Sequence, residues 1–223
     1  MFCSKRRNGY LFRGFNSSNY ATKYYNYERA LQIRIFMKLV LIGCSTGGPG
    51  HLGKILSKLP VGYDACLVIV QHIGEVFLPS LVQNFESSCN IPMNICSDGT
   101  VLKAGNVYFA KGELLCEMRS SSHNVVWHIS NIKSDTYAPN INNLFASVAH
   151  IADRFDSILA TILTGIGDDG ASGLLELKNR GAYTIAESKE SAIVYGMPRS
   201  ASENGAALDV LNIEQIASKI ANF

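Results

Sequence analysis

The sequence predicts an α/β fold: a doubly wound, mainly parallel sheet with helices on both faces and an antiparallel hairpin insert. Three observations lead there. From Met37 onward, short β-branched runs alternate with stretches of helical periodicity, the pattern of parallel strands buried on both sides. A glycine-rich turn, CSTGGPG, joins the first such strand to the first such helix. No apolar stretch approaches the roughly 18–20 residues that a membrane span requires, so every run closes at strand or helix length.

Lys38 to Gly43 (KLVLIG) reads as a buried strand. Leu52, Ile55, Leu56 and Leu59 then fall at i, i+3, i+4 and i+7, an amphipathic helix that Pro60 helps to end. Cys66 to Gln71 (CLVIVQ) is a second buried strand, and Phe77, Leu78, Leu81, Val82 and Phe85 mark a second helix after the loop 72–76. Residues 91–132 change character. Asp98-Gly99 and Ala104-Gly105-Asn106 are turn signals, and VYFA, LLCEM and VVWHI are short strands between polar tips, an antiparallel insert or edge. Helical spacing returns at Leu144, Phe145, Val148 and Ile151, followed by the apolar strand Ser157 to Gly165 (SILATILTG). Gly170 to Arg180 is a helix stopped by Gly181. AYTIA (182–186) is a further strand, and Asn212 caps a last helix carrying Ile213, Ile216 and Ile220, with Gln215 in place for a capping box. Residues 37–223 read as one domain without internal repeats.

The net charge of +2 is unevenly spread. Residues 1–36 hold seven cations (Lys5, Arg6, Arg7, Arg13, Lys23, Arg29, Arg34) against Glu28, which is +6 and leaves −4 for residues 37–223. A mildly acidic body has no footprint for a phosphate backbone, so no nucleic-acid partner is expected. The basic leader is expected to lie outside the fold. It is either an Arg-rich, acid-poor transit peptide or an upstream extension ahead of a start at Met37, and the second reading is favoured. The six cysteines form no C-x-x-C pair and mostly sit in apolar runs, which fits a reduced, cytoplasmic setting with no metal site. A soluble monomer with no membrane insertion is the corresponding expectation.

Chemistry concentrates at three strand ends. Gly43-Cys44-Ser45-Thr46-Gly47 fits the nucleophile elbow Gly-x-Ser-x-Gly, with a strand before it and a helix after it. Such a turn lifts the Ser hydroxyl above the sheet, where amides at the helix N-terminus can steady an oxyanion. The same stretch also suits a plain strand-to-helix connection or a phosphate-cradling loop. His72 directly follows CLVIVQ, which puts it at the carboxyl edge that carries Ser45. His51 and His150 in helical segments, and His123 and His128 in the hairpin region, read as structural or solvated. SILATILTG ends in Ile166-Gly167-Asp168-Asp169-Gly170, bringing two carboxylates to that edge, where an acid also suits the start of a helix. A hydroxyl, an imidazole and a carboxylate converging from separate loops are the parts of a base-activated serine. The order Ser, His, Asp differs from the Ser, Asp, His order of ordinary α/β-hydrolases.

These residues resemble the catalytic domain of the chemotaxis protein-glutamate methylesterases (CheB). LIGCSTGG looks like that family's IGxSTGG segment, VIVQHI like its His-containing segment, and ILTGIGDDGASG like its LTGMGxDGAxG segment. DGTVLKAGNVYFAKG and AIVYGMPRSA are similar to further stretches, DGxxLxPGxxYxAPG and VxGMPxxA, so the resemblance spans about 38–220. It implies Ser45 as nucleophile, His72 as base and Asp169 as orienting acid, with Asp168 at a variable place; spacing alone does not choose between the two acids. Thr46 and Ile166 are the supporting, oxyanion candidates. By resemblance the enzyme hydrolyses γ-glutamyl methyl esters on chemoreceptor helices, and deamidates glutamine at such sites, with no cofactor. Two-domain members carry an amino-terminal receiver domain, for which a basic leader of 36 residues is no substitute, so phosphorylation control in cis is not expected. Ala138-Pro139-Asn140 stands where Arg-Pro-Ser is usual, and Ile166 where Met is usual; both bear on receptor recognition. A catalytically silent signalling or binding module of the same fold is the alternative. A nucleotide or phosphate binder using GCSTGGPG is opposed by the lack of a Walker Lys or a G-x-G-x-x-G array.

Overall fold

The computed structural model describes residues 37–121, 124–134 and 137–223; the expectations for the leader, and His123, lie outside the described residues. Strand β1 (Lys38–Cys44) is buried at every position after Lys38, and β2 (Cys66–Gln71) is buried throughout. Strands without a polar side need cover on both faces. They receive it: β3 (Met93–Ile95), β4 (Val107–Phe109), β7 (Ser157–Ile162), β8 (Tyr183–Glu187) and β9 (Asp209–Leu211) complete a seven-stranded sheet in the order β3-β4-β2-β1-β7-β8-β9. All neighbouring pairs are parallel.

Two cores flank this sheet. Val40 and Ile42 of β1 and Leu67 and Ile69 of β2 pack on the side of α1 (Gly48–Leu56), α2 (Leu78–Glu86) and α6 (Ile213–Ala221). Leu39, Leu41, Val68 and Val70 face the other way, towards α3 (Ile141–His150), α4 (Ala171–Asn179) and α5 (Met197–Glu203). The hairpin of β5 (Leu114–Ser121) and β6 (Asn124–Lys133) closes this second core with Cys116, Met118, Val125 and Trp127. After β1 the chain moves to β2 on one side, and after β7 to β8 on the other. That reversal opens a crevice at the carboxyl ends of the two central strands.

The stretch 91–132 divides. Only β5 and β6 are antiparallel; Met93–Ile95 and Val107–Phe109 form the parallel edge. Burial explains the split, because Val107, Tyr108 and Phe109 are all inside, whereas β5 alternates Cys116 and Met118 inward with Arg119 outward. The first helix ends at Leu56 with Ser57 as its cap, ahead of Leu59 and Pro60. Phe77 stands outside the second helix core, 67% exposed. The Asn212–Gln215 capping box forms as the sequence predicts. Helix α5 and strand β9, with seven and three residues, are too short to leave a periodic signal.

Candidate active site

The elbow geometry follows from its glycines. Gly47 adopts φ 87°, a left-handed conformation in which a side chain is strained, and a Cβ on Gly43 would lie 2.7 Å from Ile141 Cγ2. Ser45 is held from the β7 side: its amide donates to the Thr164 carbonyl at 2.9 Å, and the Thr164 hydroxyl donates to the Thr46 carbonyl at 2.8 Å. Gly165 sits so close that an added Cβ would approach Ser45 Cβ to 2.8 Å. The neighbouring Cys44 is no rival nucleophile. Burial, and secondarily Glu187, push its thiol far above the ordinary range, which leaves little of the reactive thiolate.

His72 and Asp169 are brought into direct contact, Nε2 to Oδ2 at 2.8 Å. The Asp169 side chain is fully buried, and His72 is 13% exposed. Two more donors converge on this carboxylate, the Ile141 amide at 2.8 Å and the Asn142 amide at 2.9 Å. Asp169 thus lies at the N-terminus of α3, not of the α4 that follows it in sequence, and the positive end of α3 meets its charge. With Nε2–H given to Asp169, the neutral ring keeps its lone pair on Nδ1. This is the opposite ring edge from the serine-protease arrangement, in which the carboxylate holds Nδ1. Among the described residues the Ser45 hydroxyl makes no hydrogen bond to His72. Such bonds often tighten only when substrate is bound.

Asp168 has a separate part. It is exposed and accepts the Tyr137 hydroxyl at 3.1 Å, while the Tyr137 ring stacks on His72 with centroids 5.3 Å apart and planes 3° from parallel. Gly167 leaves room for that phenol. The amides of Thr46 and Ile166 have no acceptor among the described residues, so both are open donors at the crevice. Among the described residues no cluster of His, Cys, Asp and Glu could hold a metal ion.

Residues 40–220 match the family model of the CheB methylesterase. The chain belongs to the CheB methylesterase family. A crystal structure of the CheB methylesterase catalytic domain of Thermotoga maritima superposes with a TM-score of 0.76 at 33% identity, covering 84% of this chain and 99% of that one. The protein-glutamate methylesterase/protein-glutamine glutaminase 2 of Carboxydothermus hydrogenoformans is 40% identical over 191 residues, 84% of this chain and 54% of that protein. The protein of the same activities from Caldanaerobacter subterraneus is 41% identical over 172 residues, 76% of this chain and 47% of its own length. The chain therefore spans about half the length of these curated relatives. CheB-family membership fits the parallel sheet and its hairpin.

Sequence reasoning did not single out Tyr137, Gln71 or Glu187. Tyr137 is an aromatic in a loop and leaves no pattern. Gln71 and Glu187 did leave one, since each is the polar last residue of a largely apolar strand (CLVIVQ, YTIAE).

Proposed function

We propose that the chain hydrolyses γ-methyl esters of glutamate on a methylated protein, the cytoplasmic helices of a chemoreceptor, and deamidates glutamine by the same acyl chemistry. The observation that carries this reading is the His72–Asp169 pair, bonded at 2.8 Å on the crevice edge that also bears Ser45. In the reaction His72 Nδ1 takes the Ser45 proton as Oγ attacks the ester carbonyl. The oxyanion falls to the Thr46 and Ile166 amides, and methanol leaves with the proton returned by His72. A water activated by the same nitrogen then releases free glutamate, and Asp169 keeps the imidazole in the useful tautomer throughout.

A protein substrate suits the surroundings. Val76, Phe77, Ile166 and Ile193, on loops after β2, β7 and β8, are between 64% and 85% exposed, an apolar rim for a helix to rest on. No helix among the described residues is long and apolar enough to cross a membrane. We place the reaction in the cytoplasm, performed by a monomer that meets its membrane-anchored receptor transiently. The free cysteines of the described residues suit that compartment.

The missing Ser45–His72 bond favours one competitor, a silent binding module. A fluorophosphonate probe separates the two: wild type is expected to label at Ser45 and Ser45→Ala to stay unlabelled, with methanol released from methylated receptor fragments by wild type alone. Labelling of wild type no stronger than of Ser45→Ala sinks the hydrolase reading.

A further inference from the structure

Along β2 the side chains facing α1 are Leu67, Ile69 and then Gln71. Gln71 is 3% exposed, and its register partner across the parallel pair is Cys44, the last residue of β1. The two strands end together there, and the His72 amide makes the last backbone rung, to the Cys44 carbonyl at 3.0 Å. Gln71 extends the connection beyond that rung. Its Nε2 donates to the Ser45 carbonyl at 2.9 Å and to the His72 carbonyl at 3.0 Å, while Oε1 accepts the Cys44 thiol at 3.1 Å. Carbonyl oxygens only accept, so the chemistry fixes which way the amide points. A Cβ on Gly48 would overlap Oε1 and lie 3.0 Å from the Cys44 sulfur, so the second glycine of STGG is the room this amide needs.

We propose that Gln71 is a positioning residue, one planar amide whose two N–H bonds, diverging at a fixed angle, set the separation between the nucleophile's loop and the base's loop. The proposal rests on the hydrolase reading. No other residue type of this size supplies it. A leucine or methionine fills the space but leaves the His72 carbonyl without this donor and the Ser45 carbonyl with the Gly48 amide alone. A glutamate is isosteric, yet ionised it turns acceptors towards acceptors, and protonated it has one hydrogen for two carbonyls. The clamp acts on the distance that proton transfer from Ser45 to His72 depends on, where a misplacement of about 1 Å costs on the order of a hundredfold.

Gln71→Glu and Gln71→Met are the variants, assayed with a small activated ester and with the fluorophosphonate probe at a temperature where melting curves show each fully folded. Expected are kcat and Ser45 labelling rates lower by roughly ten- to a hundredfold, with KM within about twofold of wild type. A purely structural side chain would instead lower the melting temperature and leave kcat of the folded protein alone. A second readout needs no variant: both Nε2 protons of wild-type Gln71 are expected to exchange slowly with solvent in NMR spectra. Wild-type kcat retained by both variants, or rapid exchange of both protons, overturns the clamp. Equal labelling of wild type and Ser45→Ala is a different result, which removes the hydrolase reading beneath it.

Discussion

Among the described residues two histidines pair with a fully buried carboxylate, His72 with Asp169 and His51 with Glu187, and their chemistry is nearly the same. Both carboxylates are fully buried, and the ring contacts are 2.8 and 3.2 Å. Both also take backbone amides, from Ile141 and Asn142 in one case and from Thr164 in the other. What differs is placement. His72 follows the end of a strand and binds its carboxylate through Nε2, with its side chain 13% exposed; His51 lies on the buried face of α1, with its side chain 6% exposed, and binds through Nδ1. A buried acid–imidazole pair can serve as a base only where its second ring nitrogen reaches a reactant, the part proposed above for His72. The inner pair serves the outer one, because Glu187 anchors Thr164, whose carbonyl and hydroxyl hold Ser45 and Thr46.

Breaking each pair in turn tests that division. Asp169→Asn offers Nε2 an amide donor, which moves the ring proton to Nδ1 and blocks the base. The expected loss in kcat is roughly 10³- to 10⁴-fold, with the fold kept because Oδ1 still accepts the Asn142 amide, although the Ile141 amide loses its acceptor. Retention of more than about a tenth of the activity would make the outer pair as structural as the inner one. Glu187→Met should do the reverse. It strips a common acceptor from the Thr164 amide, the Ser191 hydroxyl and His51, and a stability loss of about 3–5 kcal/mol is expected in urea unfolding. A loss under about 1 kcal/mol would show the inner pair to be dispensable.

The difference between the pairs also marks how far the sequence could be read. Strands β1, β2 and β7 were legible because unbroken apolar runs can only be buried on two sides, and the hairpin because β5 alternates. Ser45 and His72 were legible because each directly follows a strand, and the Asp168–Asp169 couple because it lies in the loop after β7, so all had to reach the carboxyl edge. Which of the two acids meets His72 was not: adjacent residues share one loop, and only packing decides that Asp169 turns inward while Asp168 stays exposed. The supports were legible only in part: a polar residue ends CLVIVQ and YTIAE, but the sequence does not name its partners, which are two backbone carbonyls and the Cys44 thiol for Gln71 and the Thr164 amide, Ser191 and His51 for Glu187. His51 reads as structural or solvated, and it lies buried in α1, but nothing in its neighbours names Glu187, 136 positions away.

The smallest expected effect concerns an aromatic cover that, among the described residues, the outer pair has and the inner pair does not. Tyr137 lies parallel to the His72 ring and is tied to Asp168. Burial, and then Asp168, raise its phenol above the ordinary range, so the hydroxyl keeps its proton and goes on donating as the solution turns mildly alkaline. Two contributions are then separable. Tyr137→Ala removes the stack as well as the tie, and a stack contributes about 0.5–1.5 kcal/mol, so kcat is expected to fall by up to about tenfold. Tyr137→Phe keeps the stack and loses only an exposed hydrogen bond, with an expected change of about threefold or less. Steady-state kinetics on the same ester reads both. If Phe is as damaging as Ala, the tether to Asp168 orients the imidazole and the stack does not; if neither changes kcat, the carboxylate holds the ring without help from Tyr137.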